Sequence, residues 1–198
     1  MSSQVSILPR HNLNARQAET VERLFAAASE VLAEVGHESL TIRMVAARAG
    51  ISAATAYTYV ASKDHLFAEL FWRLLAADAG PVLTETTPTA RLQQTTRHLA
   101  ELIGGSPALA AAATKSLLGE DPQVQRLRRR IGGAFVDRFR AALREPGEPG
   151  SAVDPRLLDT VTLAFFGALL HAGMGLTTHA GIGQRLDAVI AVIMKGNV

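Results

Sequence analysis

Between Val21 and Val35 the apolar side chains Val21, Leu24, Phe25, Ala28, Val31, Leu32 and Val35 recur every third or fourth residue. That spacing makes one stripe along an amphipathic α-helix; a half-buried strand would alternate instead. The same period continues along most of the 198 residues, with no convincing alternating run and no internal repeat. The expected fold class is therefore all-α.

Local start and stop signals divide this period into helices. Gly36 ends the first as its C′ residue. A shorter helix runs from about Thr41 to Ala49, with Ile42, Val45 and Ala46 inward, and stops at Gly50. Ser52 can cap a third through Val60, and Ser62 a fourth whose apolar face is Leu66, Phe67, Leu70, Phe71, Leu74 and Leu75. Gly80-Pro81 ends it. Thr87-Pro88 opens the next, with Leu92, Leu99, Leu102 and Ile103 inward and Gly104-Gly105 after it. Ser106-Pro107 and Asp121-Pro122 open two more, each a cap followed by proline at the first helical position. Val124, Leu127, Ile131, Phe135, Phe139 and Leu143 line the second of these. Glu145 to Ser151 is expected to be a loop, because two prolines and two glycines fall in it. Asp154-Pro155 begins a long apolar helix to about Thr178, and Gly181 to Gly183 separate it from a last helix ending near Lys195.

Composition removes several function classes. Apolar residues make up 48% and charged residues 19%, a globular balance at a length that allows one large domain or two small ones. The absence of cysteine excludes a disulfide framework, a thiolate metal site and a cysteine nucleophile. No stretch at the start has signal-peptide character, and the most apolar segment, Val161 to Leu176, is short for a bilayer span. A cytoplasmic location with no membrane partner is expected. No phosphate-binding glycine loop, triad spacing or zinc signature is present, so no catalytic residue, metal or cofactor is assigned. Glu34 and His37 have di-metal spacing but lack the second pair such a centre needs. Arg128-Arg129-Arg130 reads as a solvated helix face. Residues 1–80 carry 7 Lys and Arg against 8 Asp and Glu, so any affinity for nucleic acid must come from where the charges sit.

One arrangement near the start of the chain bears on function. Two short helices joined tightly through Ala49-Gly50-Ile51-Ser52 form the pattern of a helix-turn-helix. Ile42, Val45, Ala46, Ile51 and Val60 can lock the pair onto the first helix, leaving the third as a rigid probe for a major groove. Ala53 and Ala54 allow close approach to bases and thymine methyls; Thr55, Tyr57 and Thr58 bring hydroxyls. Arg43 and Lys63 flank the probe as cations for phosphates. Thr41 and Ser62 start helices whose free amides favour an anion, and Ser52 caps the probe itself.

The stretch from Leu40 to Phe67 resembles the DNA-binding domain of the tetracycline-repressor (TetR) family. Gly36, Thr41, Val45-Ala46, Ala49-Gly50-Ile51-Ser52, Thr55, Tyr57, Tyr59, Ser62-Lys63 and Leu66 carry the likeness in fixed register. It covers roughly residues 16 to 76. Where Ala56 and Val60 stand, the family often has a larger apolar residue and a bulky aromatic. The resemblance implies an all-α homodimer that binds a palindromic double-stranded operator, usually as a repressor released by a small ligand. It assigns phosphate contacts to Thr41, Tyr57 and Lys63, and base or groove contacts to Arg43, Ala53, Ala54, Thr55 and Thr58.

The domain expectation follows: a flexible arm at 1–15, a three-helix helix-turn-helix domain at 16–80 (motif about 41–60), and a helical ligand-binding and dimerisation domain at 81–198. Arg10, His11 and Arg16 are candidates for a minor-groove contact. By family analogy the last two helices, about 155–178 and 183–195, pair with those of a second copy. Gly167, Ala168, Ala172, Gly173 and Gly175 would permit the close approach. Leu75, Leu102, Leu117 and Phe135 are candidate lining for an effector pocket, together with Phe139, Phe165, His171 and Met174.

Overall fold

The computed structural model describes residues 15–144 and 152–195, and within them every regular element is an α-helix. The candidate arm residues Arg10 and His11, and the expected loop from Glu145 to Ser151, lie outside the described residues. Arg16 is in the first turn of the first helix. The helices are α1 (Ala15–Ser39), α2 (Ile42–Arg48), α3 (Ala53–Tyr59), α4 (Lys63–Ala77), α5 (Pro88–Gly104), α6 (Pro107–Leu117), α7 (Pro122–Leu143), α8 (Pro155–Gly173) and α9 (Ile182–Met194).

Most ends form where the local chemistry puts them. Thr41, Ser52, Ser62 and Thr87 each accept a hydrogen bond from a backbone N–H in the first turn they precede, and so do Asp121 and Asp154. Ser106 stands at the start of α6 but makes no such bond. In α1 the regular backbone breaks at Gly36 (φ 74°), and Val35, expected in the buried stripe, is exposed. The apolar helix α8 ends at Gly173, five residues short of the expected Thr178. There Gly175 takes φ 75°, and the N–H groups of Gly175 and Leu176 close back onto Ala172 and His171 at 3.0 Å each, satisfying the last carbonyls. Gly183, expected to separate α8 from α9, lies inside α9, where its missing side chain lets the helix approach Arg97 and Ala100 of α5.

The helix α4 joins the two halves. It packs on α1, α6 and α7. Ser62 meets Asp121, Trp72 meets Arg130, and Leu75 and Asp78 meet Arg138, so α4 and α7 run side by side in the same direction. Arg130 stacks over the Trp72 ring at 4.1 Å, while the Arg138 guanidinium donates to the Leu75 and Asp78 carbonyls at 2.8 and 2.9 Å. Across the other face of α4, Arg73 lies 3.9 Å from the Phe25 ring of α1 and pairs with Glu22. One continuous core runs from Leu24 and Leu66 through Leu99 to Phe135, Phe139 and Phe165.

A buried cation closes the far end. Arg91 is 2% exposed and donates to the carbonyls of Ala142 (2.9 Å), Thr86 (2.8 Å) and Arg144 (2.8 Å). Ala142 lies in the last turn of α7 and Arg144 caps it, where unpaired carbonyls and the negative dipole end suit a guanidinium.

Candidate DNA interface

The turn between α2 and α3 is built from the backbone outward. Gly50 takes φ 66°, which a side chain would resist. Its N–H donates to the Ala47 carbonyl at 3.1 Å and that of Ile51 to Ala46 at 3.0 Å, the double closure that ends a helix and turns the chain sharply. Ile51 then packs, partly buried, against the core. From there α3 is held by Ala56, fully buried, and by Val60 at its end. Ala56 is fully buried, so α3 is docked there through a short side chain.

The opposite side of α3 faces out. Ala54, Tyr57 and Thr58 are exposed, while Ala53 and Thr55 are half-buried beside them. Tyr57, at 52% exposure, is the large side chain that the packing leaves free. The hydroxyls on this face are not equivalent. The Thr58 hydroxyl donates to the Thr55 carbonyl, and the Thr55 hydroxyl bonds that of Ser52 at 2.8 Å. Ser52 also accepts the Thr55 N–H at 3.0 Å. The free chain therefore offers the Tyr57 hydroxyl, the methyls of Ala53, Ala54, Thr55 and Thr58, and acceptor lone pairs from the threonines.

The flanking cations differ too. Arg43 is exposed in the first turn of α2, next to the cap Thr41, whose side chain accepts the Met44 N–H at 3.2 Å. Lys63 turns back onto the end of α1, where its ammonium donates to the Glu38 carbonyl at 2.8 Å. Arg48, not singled out from the sequence, forks onto Glu34 at 2.6 and 2.9 Å and reaches Glu30 at 3.2 Å. That hydrogen bonding holds the Glu34 carboxyl below its ordinary range and raises the already basic guanidinium further. Glu34 is thus an ion-pair partner on the outer face of α1. Among the described residues no group of three or more His, Cys, Asp or Glu side chains is placed to hold a metal ion.

Behind α3, the start of α4 carries a polar cluster. The Ser62 hydroxyl accepts the His65 N–H at 3.0 Å and donates to Asp121 at 2.5 Å, while the ring Nδ1 of His65 accepts the Ala61 N–H at 3.1 Å. Burial keeps His65 below its ordinary pKa, with Glu69 and Asp121 pulling weakly the other way. The Asp121 carboxyl is held low by the Ser62 bond and by the amides of Gln123 and Val124. No sequence signal marks the Ser62–Asp121 pair: the partners are 59 residues apart, and each reads simply as a cap.

The eight candidate pocket residues differ in their surroundings. Leu75, Phe135, Phe139 and Phe165 are packed core; the Phe165 ring lies 5.1 Å from Phe135 and 5.2 Å from Phe139. Leu102 and Leu117 are half-buried at the margin. His171 and Met174 face outward, His171 into a shallow groove of about 360 Å³ between α8 and α9. Ala164, Gly167 and Ala168 line one wall of this groove and Ile182, Leu186 and Val189 the other, with Arg185 at its edge. Of the small residues on α8, Ala172 turns inward against Ala100 and Ile182, Gly173 sits against Thr114 of α6, and Gly167 alone faces out in open space.

The outward side of α8 and α9 is apolar. Leu163, Phe166, Leu170 and Met174 form a stripe on α8, and Val189 and Val192 continue it on α9; Leu163 and Val192 are 65% and 71% exposed. No helix among the described residues is long and apolar enough to cross a membrane.

Comparison with known proteins places this geometry. The family model "Bacterial regulatory proteins, tetR family" matches residues 24–70, which run from within α1 to the middle of α4. An uncharacterized HTH-type transcriptional regulator of Mycobacterium tuberculosis (strain CDC 1551 / Oshkosh) is 38% identical over 185 residues, 92% of this chain and 84% of that protein. The HTH-type transcriptional repressor KstR of Mycolicibacterium smegmatis is 27% identical over 150 residues, 73% of each. In fold, the chain is similar to a TetR transcriptional regulator from Rhodococcus sp. RHA1, with a TM-score of 0.74 at 19% identity, covering 93% of this chain and 99% of that one. The family and these relatives are transcriptional regulators, not enzymes. This chain belongs to the TetR family of bacterial transcriptional regulators.

Proposed function

We propose that the chain is a repressor: a homodimer joined through α8 and α9 that binds a palindromic operator with two copies of α3. The observation that carries this is the split character of α3, locked inward by Ala56 and Val60 and open outward along Ala53, Ala54, Thr55, Tyr57 and Thr58. Residues 16–80 act as the reading head and 81–198 as the dimerising bundle. Phosphate contacts come from Thr41, Tyr57 and Lys63, and groove contacts from Arg43, Ser52 and the small residues of α3; a two-fold dimer sets the two heads about 34–36 Å apart. The apolar stripe from Leu163 to Met174, with Val189 and Val192, supports the dimer, since a patch of that kind on a soluble chain calls for cover. The protein acts in the cytoplasm, where the chromosome is.

Release by a small apolar effector belongs to this reading, although Phe135, Phe139 and Phe165 pack ring against ring in the bundle it would enter. That contact favours a second reading, in which the dimer binds DNA without a small-molecule effector and is governed by a protein partner or by its abundance. Selection of genomic fragments by the purified protein tests the common ground. Enrichment of one palindrome supports operator binding, and no enrichment overturns it. A melting-temperature screen against apolar ligands then separates the readings: an upward shift supports the effector, and none across the screen supports the second.

A further inference from the structure

We propose that Asp121 is a positioning residue for the reading helix, acting on α3 through its hydrogen bond to Ser62; the inference rests on the operator-binding reading above. Only Ala61 stands between Val60, which ends α3, and Ser62, which caps α4. Three bonds fix this short link. The Ala61 N–H goes to the His65 ring at 3.1 Å, the His65 N–H to Ser62 at 3.0 Å, and the Ser62 hydroxyl to Asp121 at 2.5 Å. A serine has one proton to donate, and here it leaves the reading head for the bundle. Asp121 is itself rigid, because its other oxygen accepts the Gln123 N–H at 2.8 Å and caps α7. Two helix caps 59 residues apart thus share one bond.

The same end of α4 has a second tie, Ser116 of α6 donating to Asp64 at 2.7 Å. At the far end Arg138 and Arg130 hold Leu75, Asp78 and Trp72. Loss of the Ser62–Asp121 bond therefore removes one of these two ties at the N-terminal end of α4, the one on the residue next to the α3 link, while the C-terminal end stays clamped. Base edges demand placement within a fraction of an ångström, whereas a phosphate can be met by a long flexible cation. The consequence falls on operator affinity and spares affinity for unrelated DNA.

The variants separate the bond from the cap and the charge. Asp121→Ser keeps a good cap for α7 but cannot reach Ser62. Asp121→Asn keeps the cap through its oxygen and the reach through its amide, which donates to the Ser62 oxygen, so the tie survives uncharged and reversed in direction. Two readouts are taken on the full chain: hydrogen exchange of the Ala61 and His65 amides without DNA, and dissociation constants on the selected operator and on an unrelated duplex. Asp121→Ser is expected to exchange faster at both amides and to bind operator at least about fivefold more weakly, the low end of ordinary coupling between sites. Its affinity for the unrelated duplex stays at the wild-type level, and Asp121→Asn follows the wild type in both readouts. Wild-type exchange or operator affinity in Asp121→Ser overturns the proposal. So does an equal loss on both duplexes, or an Asp121→Asn as weak as the serine variant. A wild-type protein that selects no operator defeats the operator-binding reading instead, while the exchange measurement still decides whether Asp121 holds the link.

Discussion

The Ile51 N–H closes onto the Ala46 carbonyl at 3.0 Å, with Gly50 between them at φ 66°. This one closure sets the angle between α2 and α3, and so the aim of the reading helix. Among the described residues, its two chain neighbours aside, no heavy atom lies within 4 Å of where a Gly50 side chain would begin, so the obstacle to a substitution is the backbone angle. Gly50→Ala is expected to cost about 1–2 kcal/mol, the penalty of the left-handed conformation for a residue with a Cβ. Equilibrium urea denaturation measures it, and an unchanged midpoint contradicts it.

Tyr57→Ala and Lys63→Ala are expected to weaken binding to operator and unrelated DNA alike, and Lys63→Ala to reduce the salt slope by about 1. Changes at Ala53 or Thr55 instead alter which sequences are preferred. Anisotropy titrations on matched duplexes distinguish the two behaviours. Wild-type affinity in both Tyr57→Ala and Lys63→Ala means that α3 does not enter the groove in the assigned orientation.

Gly167 sits exposed on α8 with open space around it, between Phe166 and the α9 wall of the groove. Among the described residues no contact within 4 Å calls for a glycine there, although glycine weakens a helix interior by about 0.5–1 kcal/mol relative to alanine. Gly167→Trp should keep the helical content of the wild type yet shift sedimentation from dimer to monomer. A tryptophan variant that remains a dimer moves the interface off this face.

Arg91 neutralises the end of α7 from a site closed to water. Arg91→Met leaves the carbonyls of Thr86, Ala142 and Arg144 without these donors. A loss of about 2–4 kcal/mol is expected in denaturant unfolding, from several bonds to a charged donor and the buried acceptors left behind. A change under about 1 kcal/mol means that water takes the place of the guanidinium.

Acid should destabilise the fold below neutrality. Burial depresses the pKa of His65 and of His179 below the ordinary 6.5. As pH falls through 6.5 the unfolded chain takes up protons that the folded chain refuses, so stability drops until the folded-state values are reached. Melting temperature is therefore expected to fall between pH 7 and pH 5.5, and to fall less in His65→Asn. An equal drop in that variant assigns the effect to other groups. The depressed Asp121 carboxyl acts in the same direction at much lower pH, below about 3.8.

Helix identity and most helix starts were legible because they rest on chemistry within four residues. Thr41, Ser52, Ser62, Thr87, Asp121 and Asp154 cap where their side chains predict. The α2–α3 turn was legible for the same reason, as Gly50 declares it. The end of α8 was misjudged because an apolar run continues past Gly175, whose backbone angle ends the helix first. The periodicity marked Phe135, Phe139 and Phe165 as inward, and all three are buried. His171 and Met174 share an apolar segment with them and yet face out, because α8 presents apolar side chains on both sides. The contacts of Ser62 with Asp121 and of Arg91 with the end of α7 join residues more than 50 positions apart, beyond the reach of any local pattern.

The most direct test is fluorescence anisotropy of the wild-type protein on the selected palindrome across a range of salt concentrations. The account predicts two protomers per palindrome, nanomolar affinity and a slope of log K against log salt of roughly −4 to −8, from a few cationic contacts in each half-site. Binding that is absent, or indifferent to salt and sequence, would contradict it.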